Sequence, residues 1–252
     1  MPPKPLSVDY WDDWYASKTA APAVAEVMNR HLGLPPDLLA GILPAEAIGE
    51  LTAELRLKPA SILLDLACGR AGYGLAIARG SEARLVGIDV SAEALAQARG
   101  QAARLGVTDA RFHAGDLTAS GLPDACADAV LCTDAIQFPD DPAAAYREIR
   151  RVLKAGGRVA LTCWEPSGRD DGKLSDRLRR VDLAAGLAGA GFTGIEVRER
   201  PAWRERERAV WEEAVTIDPG NDPALLSFHG EGSRSLEHFA LVRRVLATAT
   251  AP

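Results

Sequence analysis

The sequence contains no uncharged apolar run of 18 residues, the length that a membrane-spanning helix needs, so we expect no membrane span. Its start, MPPKPLSVDYWDDWY, lacks a basic segment followed by an apolar one, so we expect no secretion signal. Basic residues are too few to balance the acidic ones, 29 against 35, which leaves a net charge of −6. A nucleic-acid partner is not expected, because phosphate binding needs a basic surface.

Cysteine is also scarce, and none of the residues forms the C-x-x-C spacing of a zinc site. Each one lies beside or within an apolar stretch, which favours reduced, mostly buried thiols in a cytoplasmic protein. The four are Cys68, Cys126, Cys132 and Cys163. We therefore expect no bound metal and a small-molecule partner, with a monomer and a homodimer both open.

Strand-like and helix-like segments alternate over residues 61–163, which predicts a parallel sheet with helices on both faces. Two further strand patterns follow toward the end of the chain, the last of which also permits a helix. The predicted strands are 61–67, 84–91, 110–117, 127–136, 157–165, 193–203 and 243–251. The predicted helices are 20–31, 44–56, 73–79, 92–104, 142–153, 175–189 and 204–216, with short helical pieces over 223–240. The fold class is α/β, a Rossmann-like, doubly wound and mostly parallel seven-stranded sheet with a small helical cap.

The chain divides into four parts on this pattern. We expect a helical lid over residues 1–60, a nucleotide-binding core over 61–200, a cap insertion over 201–240 and a closing strand over 241–252.

The stretch LLDLACGRAGYGLAIA turns from a predicted strand into a helix over three glycines, and backbone N–H groups point outward at such a turn. Asp65, Asp89 and Asp116 follow successive strands, at the sheet edge where open parallel sheets bind ligands. Asp89 lies 20 residues beyond Gly69, a spacing at which a carboxylate accepts both hydroxyls of a ribose. A nicotinamide dinucleotide and the nucleoside of S-adenosylmethionine both fit these features.

The order of the glycines distinguishes the two ligands. A dinucleotide site needs G-x-G-x-x-G, whereas residues 69–74 read G-x-x-G-x-G. Asp65 precedes the first glycine, where its carboxylate would repel a pyrophosphate and attract an ammonium group. The pattern therefore favours a nucleoside that carries a cation.

The sequence resembles the class I S-adenosylmethionine-dependent methyltransferases. LLDLACGRAG matches the first motif of that family, LVGIDVS the second, HAGDLTASGLP the third and DAVLCTDAIQF the fourth, and REIRRVLKAGGRVALTCW matches the helix, turn and strand that follow. The resemblance covers residues 61–165 and is closest to bacterial small-molecule methyltransferases, often from natural-product pathways. Ala67 and Ala71 depart from the commonest pattern, which has glycines there.

The resemblance implies a role for each matched position around S-adenosylmethionine, whose product is S-adenosylhomocysteine. The methionine part would lie against Asp65 and the backbone from Ala67 to Gly69. Ribose and adenine would contact Asp89 and Val90, and the adenine amino group and ring would face Asp116 and Leu117. Asp134 and Ala135 would border the methionine end and open onto the acceptor.

Methyl transfer is an in-line displacement that depends on positioning and on exclusion of water, and it needs a base only if the acceptor must lose a proton. His229, beside an aromatic residue in the predicted cap, is the candidate base, although a surface or hydrogen-bonded histidine is the alternative. The candidate acceptor residues are Tyr10, Trp14, Tyr15, Gln137, Trp164 and His229.

We expect methylation of a small organic acceptor, with O-methylation favoured over N- or C-methylation. Three alternatives stay open. They are a cyclisation or rearrangement without methyl transfer, a nicotinamide-dependent dehydrogenase, and a non-enzymatic binding protein.

Overall fold

The computed structural model describes residues 7–17, 22–35, 37–38, 40–168 and 172–252. Its centre is one seven-stranded sheet in the order β3-β2-β1-β4-β5-β7-β6. The strands are β1 Ile62–Leu66, β2 Arg84–Asp89, β3 Ala110–Ala114, β4 Ala127–Thr133, β5 Leu153–Pro166, β6 Thr193–Glu199 and β7 Val242–Thr250. Strands β1 to β5 are parallel to one another, and β7 runs antiparallel to both β5 and β6. The predicted mostly parallel sheet of seven strands is confirmed.

Helices cover both faces of this sheet. They are α1 Val8–Ser17, α2 Pro22–Leu32, α3 Ala45–Leu55, α4 Gly72–Ser81, α5 Ala92–Arg104, α6 Pro142–Val152, α7 Asp176–Arg179, α8 Leu183–Gly189, α9 Pro201–Ala214 and α10 Pro223–His238. Alternate residues of β1 enter two separate cores: Leu63 packs with the helices α3, α4, α5 and α9, and Leu64 packs with α6 and α8. Both faces of the strand are buried, as its continuous apolar sequence requires. No helix in these ranges is both long and apolar enough to cross a membrane.

The sequence places α5 correctly because its start has a strong local signal. The Ser91 hydroxyl accepts a hydrogen bond from the Ala94 N–H at 3.0 Å, which satisfies one of the free donors of the first turn. Glu93 lies in that turn, where its negative charge interacts favourably with the helix dipole.

The strand predicted over 157–165 begins earlier than expected. The helix α6 ends at Val152 and β5 begins directly at Leu153, so the glycine pair 156–157 lies inside the strand. The pairing of β5 with β4 changes register at this point. A Cβ on Gly157 would lie 2.8 Å from the Lys154 carbonyl oxygen, so the close approach of the backbone, and not the helix end, requires glycine here.

Three other boundaries differ from the prediction. The segment 175–189 forms two helices, because the Asp182 carboxylate caps the start of a second helix by accepting a hydrogen bond from the Ala185 N–H. Strand β6 stops at Glu199, since Pro201 takes the first turn of α9, where its missing N–H costs nothing. Residues 223–238 form one continuous helix rather than short pieces, and a 3-10 turn over Phe239–Leu241 follows it.

The chain between β6 and β7 forms the helical pair α9 and α10, which packs against α2. Trp211 of α9 lies against Phe228 of α10 with 5.8 Å between the ring centroids. Gly232 lets the two helices approach, because a Cβ there would lie 3.2 Å from the Trp211 carbonyl oxygen. This pair is the small helical cap on the fold.

Helix α8 offers a direct test of the packing between α8 and α6. A Cβ on Gly186 would overlap the buried ring of Tyr146, so Gly186→Ala should lower the free energy of unfolding by about 1–3 kcal/mol. Gly189→Ala in the same helix meets nothing within 4 Å and should be neutral or stabilising by up to about 1 kcal/mol. Urea unfolding of both variants measures the difference, and equal stability of the two would contradict the packing.

Candidate functional site

The turn between β1 and α4 lies at the carboxyl edge of the sheet, in a left-handed conformation that few residues adopt. The backbone φ angles are 55° at Ala67, 54° at Gly69 and 60° at Ala71. Alanine in this conformation costs free energy that glycine avoids. The turn therefore keeps a conformation suited to glycine even at the two positions where the sequence departs from the family pattern.

Asp65 lies beneath this turn and is 2% exposed. Its carboxylate accepts a hydrogen bond from the Gly74 N–H, and a Cβ on Gly74 would overlap it. The other oxygen, Oδ1, is buried without a hydrogen-bond partner among the described residues. Burial and the nearby charge of Asp89 raise the pKa of Asp65 to about 8. A group that donates a hydrogen bond or carries a positive charge would satisfy this oxygen.

Asp89, at the end of β2, holds the turn in place. Its Oδ2 accepts from the Gly69 N–H at 2.7 Å, and its Oδ1 accepts from the Ser91 N–H at 2.9 Å. Burial raises the pKa of Asp89, and these backbone hydrogen bonds oppose the rise. Each carboxylate oxygen has a second lone pair, so both can still accept from a ligand.

Helix α1 lies over this part of the sheet edge. The Asp12 carboxylate accepts from the Ser91 hydroxyl at 2.6 Å and from the Glu93 N–H at 3.1 Å, at the start of α5. At the other side Trp11 makes an edge contact with Phe138, beyond the end of β4, with 4.9 Å between ring centroids. Helix α1 thus bridges the ends of β2 and β4.

The aromatic residues of α1 do not all face the turn. Tyr15 does: its hydroxyl fills the space where a Cβ of Gly69 would be, and burial raises its pKa, so the hydroxyl stays protonated. Trp14 is half-buried against the Tyr15 ring, at 4.8 Å between centroids. Tyr10 is 46% exposed and contacts Trp11.

The adjacent turn after β3 is closed by Asp116. Its Oδ1 accepts from the Thr118 N–H at 2.7 Å and from the Thr118 hydroxyl, and the side chain is exposed. Leu117 is buried, and the Gly115 N–H donates to the Asp89 carbonyl, which keeps this turn next to β2. Val90, which follows Asp89, is half-buried.

Asp134, just beyond β4, has a left-handed φ of 56° and both oxygens engaged. Its Oδ1 accepts from the Thr162 hydroxyl at 2.9 Å, and its Oδ2 forms an ion pair with the fully buried Arg244 of β7. The next residue, Ala135, is buried. Gln137 lies nearby, since its amide donates to the Asp134 carbonyl at 2.9 Å.

Arg244 and its second neighbour, Glu207 of α9, are functional candidates that the sequence reasoning missed. Glu207 Oε2 lies 3.9 Å from Arg244 Nε, and Glu207 Oε1 accepts from the Trp211 Nε1–H at 3.1 Å. The guanidinium group also lies over the Trp164 ring, 5.0 Å from its centroid. Burial by itself lowers the pKa of Arg244, but the two carboxylates hold that pKa above its ordinary value.

His229 is half-buried on α10. Its backbone carbonyl accepts from the Ser233 hydroxyl, and its imidazole makes no hydrogen bond with any of the described site residues. Gln137 thus lies at Asp134, and Trp164 lies against Arg244, the ion-pair partner of Asp134.

Comparisons with known proteins agree with this geometry. The model of a family described as "Methyltransferase domain" matches residues 57–184, just over half of the chain. The 27-O-demethylrifamycin SV methyltransferase of Amycolatopsis mediterranei is 29% identical over 234 residues, 91% of this chain and 76% of that protein. Phosphoethanolamine N-methyltransferase 1 of Arabidopsis thaliana is 29% identical over 165 residues, 62% of this chain. That match spans 33% of the plant protein, so the chain corresponds to about a third of it.

The fold is also found in solved structures. The crystal structure of the cyclase SpnF superposes with a TM-score of 0.73 at 22% identity and covers 98% of this chain and 96% of that one. With the matched family model and the sheet order, these findings show that the chain belongs to the class I S-adenosylmethionine-dependent methyltransferase family.

Proposed function

We propose that the chain binds S-adenosylmethionine and transfers its methyl group to a small organic acceptor, with an oxygen as the methylated atom. The observation that carries the proposal is the pair Asp65 and Asp89 at the turn from β1 to α4. Asp65 Oδ1 is a buried acceptor without a partner among the described residues, and the ammonium group of the methionine part is a suitable partner for it.

The other described residues fit the rest of the cofactor. Asp89 keeps free lone pairs for the ribose hydroxyls while its backbone contacts hold the turn. Leu117 and Val90 offer apolar surface beside it for the adenine, and Asp116 keeps one oxygen, Oδ2, for the adenine amino group. The bound cofactor supplies an electrophilic methyl group on a positively charged sulfur.

The protein's own contribution is to hold the reactants in place and to exclude water. Helix α1 covers the turn through Tyr15 and is fixed at its other contacts by Asp12 and Trp11. A closed, dry site strengthens electrostatic interactions and keeps the acceptor in line with the methyl group. Positioning of this kind accounts for a large part of the rate enhancement without any covalent intermediate.

A second candidate function is a cyclisation or rearrangement in which the cofactor is bound but not consumed. The similarity of the fold to the cyclase SpnF, at 22% identity, is compatible with it. The glycine order and Asp65 argue against a dehydrogenase, and the buried acids facing a common turn argue against a protein without a ligand.

The two functions predict different products. Incubation of the chain with S-adenosylmethionine carrying a labelled methyl group and a panel of small hydroxyl, amine and carbon acceptors should release S-adenosylhomocysteine. The label should appear on a hydroxyl acceptor. Tight cofactor binding with no S-adenosylhomocysteine from any class of acceptor would contradict methyl transfer and favour the cyclisation.

Removal of the Asp89 carboxylate should weaken cofactor binding. We expect Asp89→Ala to raise the Kd for S-adenosylmethionine at least about tenfold, which corresponds to about 1.4 kcal/mol. Calorimetry on the whole chain measures the change. Asp124→Ala, at an exposed position before β4 on the opposite edge, is the matched control and should bind normally. Equal affinity of both variants would count against the assignment.

Cofactor binding should release a proton from Asp65. Without ligand the pKa of this carboxyl is about 8, against an ordinary value of 3.8, so it is protonated at pH 6 to 7. An ammonium group beside it lowers that pKa, and affinity should therefore rise with pH by up to about tenfold per unit below about pH 7. The cofactor's own amino group, with a pKa of about 8, stays charged in this window.

Calorimetry in buffers of different ionisation enthalpy counts the protons released. The wild-type chain should release nearly one at pH 6.5, and Asp65→Asn should release none and show no pH dependence of affinity. If the wild-type chain releases no proton, the ammonium group does not lie beside Asp65.

A further inference from the structure

A largely buried polar cluster lies at the edge of the sheet where β4 ends and β7 begins. It consists of Asp134, Glu207 and Arg244, whose side chains are 24%, 5% and 0% exposed. The three come from distant parts of the chain: the end of β4, the middle of α9 and the start of β7. Charged groups are rarely buried to this extent unless they are paired or bind a ligand.

The pairing inside this cluster is incomplete. Arg244 Nη2 donates to Asp134, but Arg244 Nε and Nη1 and Glu207 Oε2 are buried without a hydrogen-bond partner among the described residues. The distance of 3.9 Å between Arg244 Nε and Glu207 Oε2 is too long for a hydrogen bond. Two donors and one acceptor are thus left unsatisfied among the described residues, and leaving buried groups unsatisfied is costly.

We propose that Glu207 and Arg244 bind the nucleophilic hydroxyl group of the acceptor, and that Glu207 is the base that receives its proton. The inference rests on the proposed methyl transfer and names the group that is methylated. A hydroxyl group has one donor and two acceptor lone pairs. It can donate a hydrogen bond to Glu207 Oε2 and accept one from Arg244, and so provide partners for buried atoms that lack them.

Other nucleophiles fit this arrangement less well. A neutral amine has one lone pair, so accepting from Arg244 would leave none for the methyl carbon, and its protonated form has no lone pair at all. A carboxylate has no proton to donate to Glu207 Oε2. The surrounding surface is aromatic: Trp164 lies under the guanidinium group, and Phe239 makes an edge contact with Trp164 at 5.4 Å between centroids. A phenol suits this surface, because its hydroxyl can bind Glu207 and Arg244 while its aromatic ring packs against Trp164.

The proton and the electrons balance in this assignment. As the acceptor oxygen forms its bond to the methyl carbon, its O–H bond breaks and the proton goes to Glu207 Oε2. The electron pair of the broken carbon–sulfur bond stays on sulfur, which becomes a neutral thioether. Glu207, and not His229, is then the base, because its carboxylate lies in the cluster that includes Asp134.

The charge state of Glu207 follows from its neighbours. The pKa of Glu207 is about 8, raised mainly by burial and also by Asp134 and Glu231 of α10, while Arg244 of β7 and the hydrogen bond from Trp211 oppose the rise. Glu207 is therefore mostly protonated at pH 7 and becomes an effective base as the pH rises through 8. The kcat/KM for a hydroxyl acceptor should rise by up to about tenfold per unit below pH 8 and then level off.

A pair of simple probes tests the site without knowledge of the natural acceptor. Phenol donates a hydrogen bond, and anisole, its methyl ether, has the same ring but cannot. With S-adenosylhomocysteine bound, ligand-observed NMR titration at pH 8.5 should show that phenol binds at least about tenfold more tightly than anisole. In Glu207→Gln the Trp211 N–H holds the amide oxygen at the Oε1 position, so the amide nitrogen faces the probe. In this variant the preference for phenol over anisole should fall below about threefold.

Glu212→Gln, on the exposed side of the same helix, is the matched control and should keep the full preference. A preference in Glu207→Gln equal to that of the wild-type chain would overturn the proposal, and so would failure of the wild-type chain to bind phenol when it binds S-adenosylhomocysteine. Failure to bind S-adenosylhomocysteine at all would instead contradict the proposed function.

A measurement on the wild-type chain alone keeps the test independent of how the variant folds. The preference for phenol should grow as the pH rises from 6 to 8.5. The ionised Glu207 carboxylate can only accept at Oε2, whereas a protonated carboxyl can carry its own proton there. A preference that does not change over this range would also overturn the proposal.

Discussion

The structure of the site depends on the burial of two carboxylates beside one backbone turn. Asp65 and Asp89 lie under the residues 67–71, and neither forms a salt bridge in the part of the chain that the structure describes. Backbone N–H groups from Gly69, Ser91 and Gly74 hold them in place instead. These hydrogen bonds hold the turn in place without a ligand. Because the two carboxylates have no cationic partner among the described residues, the site favours a ligand with a positive charge.

The topology of the sheet accounts for the rest of the site. Because β1, β2 and β4 are parallel, their carboxyl ends meet at one edge, and Asp65, Asp89 and Asp134 meet with them. The reversed strand β7 starts at this same edge, which places Arg244 next to Asp134 although they are 110 residues apart. Helix α9, inserted just before, adds Glu207 to the same group. One edge therefore carries both the turn over residues 67–71 and the groups proposed to bind the acceptor.

The sequence locates Asp65 and Asp89 at the sheet edge and misses Glu207 and Arg244, for a physical reason. Asp65 and Asp89 follow strands with strong apolar patterns and precede helices with clear starts, so local signals locate them. Glu207 lies in RERERAVWEEA, whose charges read as an exposed helix face, and Arg244 lies beside another arginine at the start of a strand. Their burial comes from contacts between distant elements, which no local pattern encodes. The early start of β5 is missed for a similar reason, since glycine at position 157 is required by a close approach of the backbone within that strand.

A crystal structure of the chain with S-adenosylhomocysteine would test the central claim most directly. The account predicts the ribose hydroxyls within hydrogen-bond distance of Asp89 and the amino group within about 4 Å of the Asp65 carboxylate, with Tyr15 covering the turn. A ligand bound elsewhere, or one in the turn with its amino group facing away from Asp65, would contradict it.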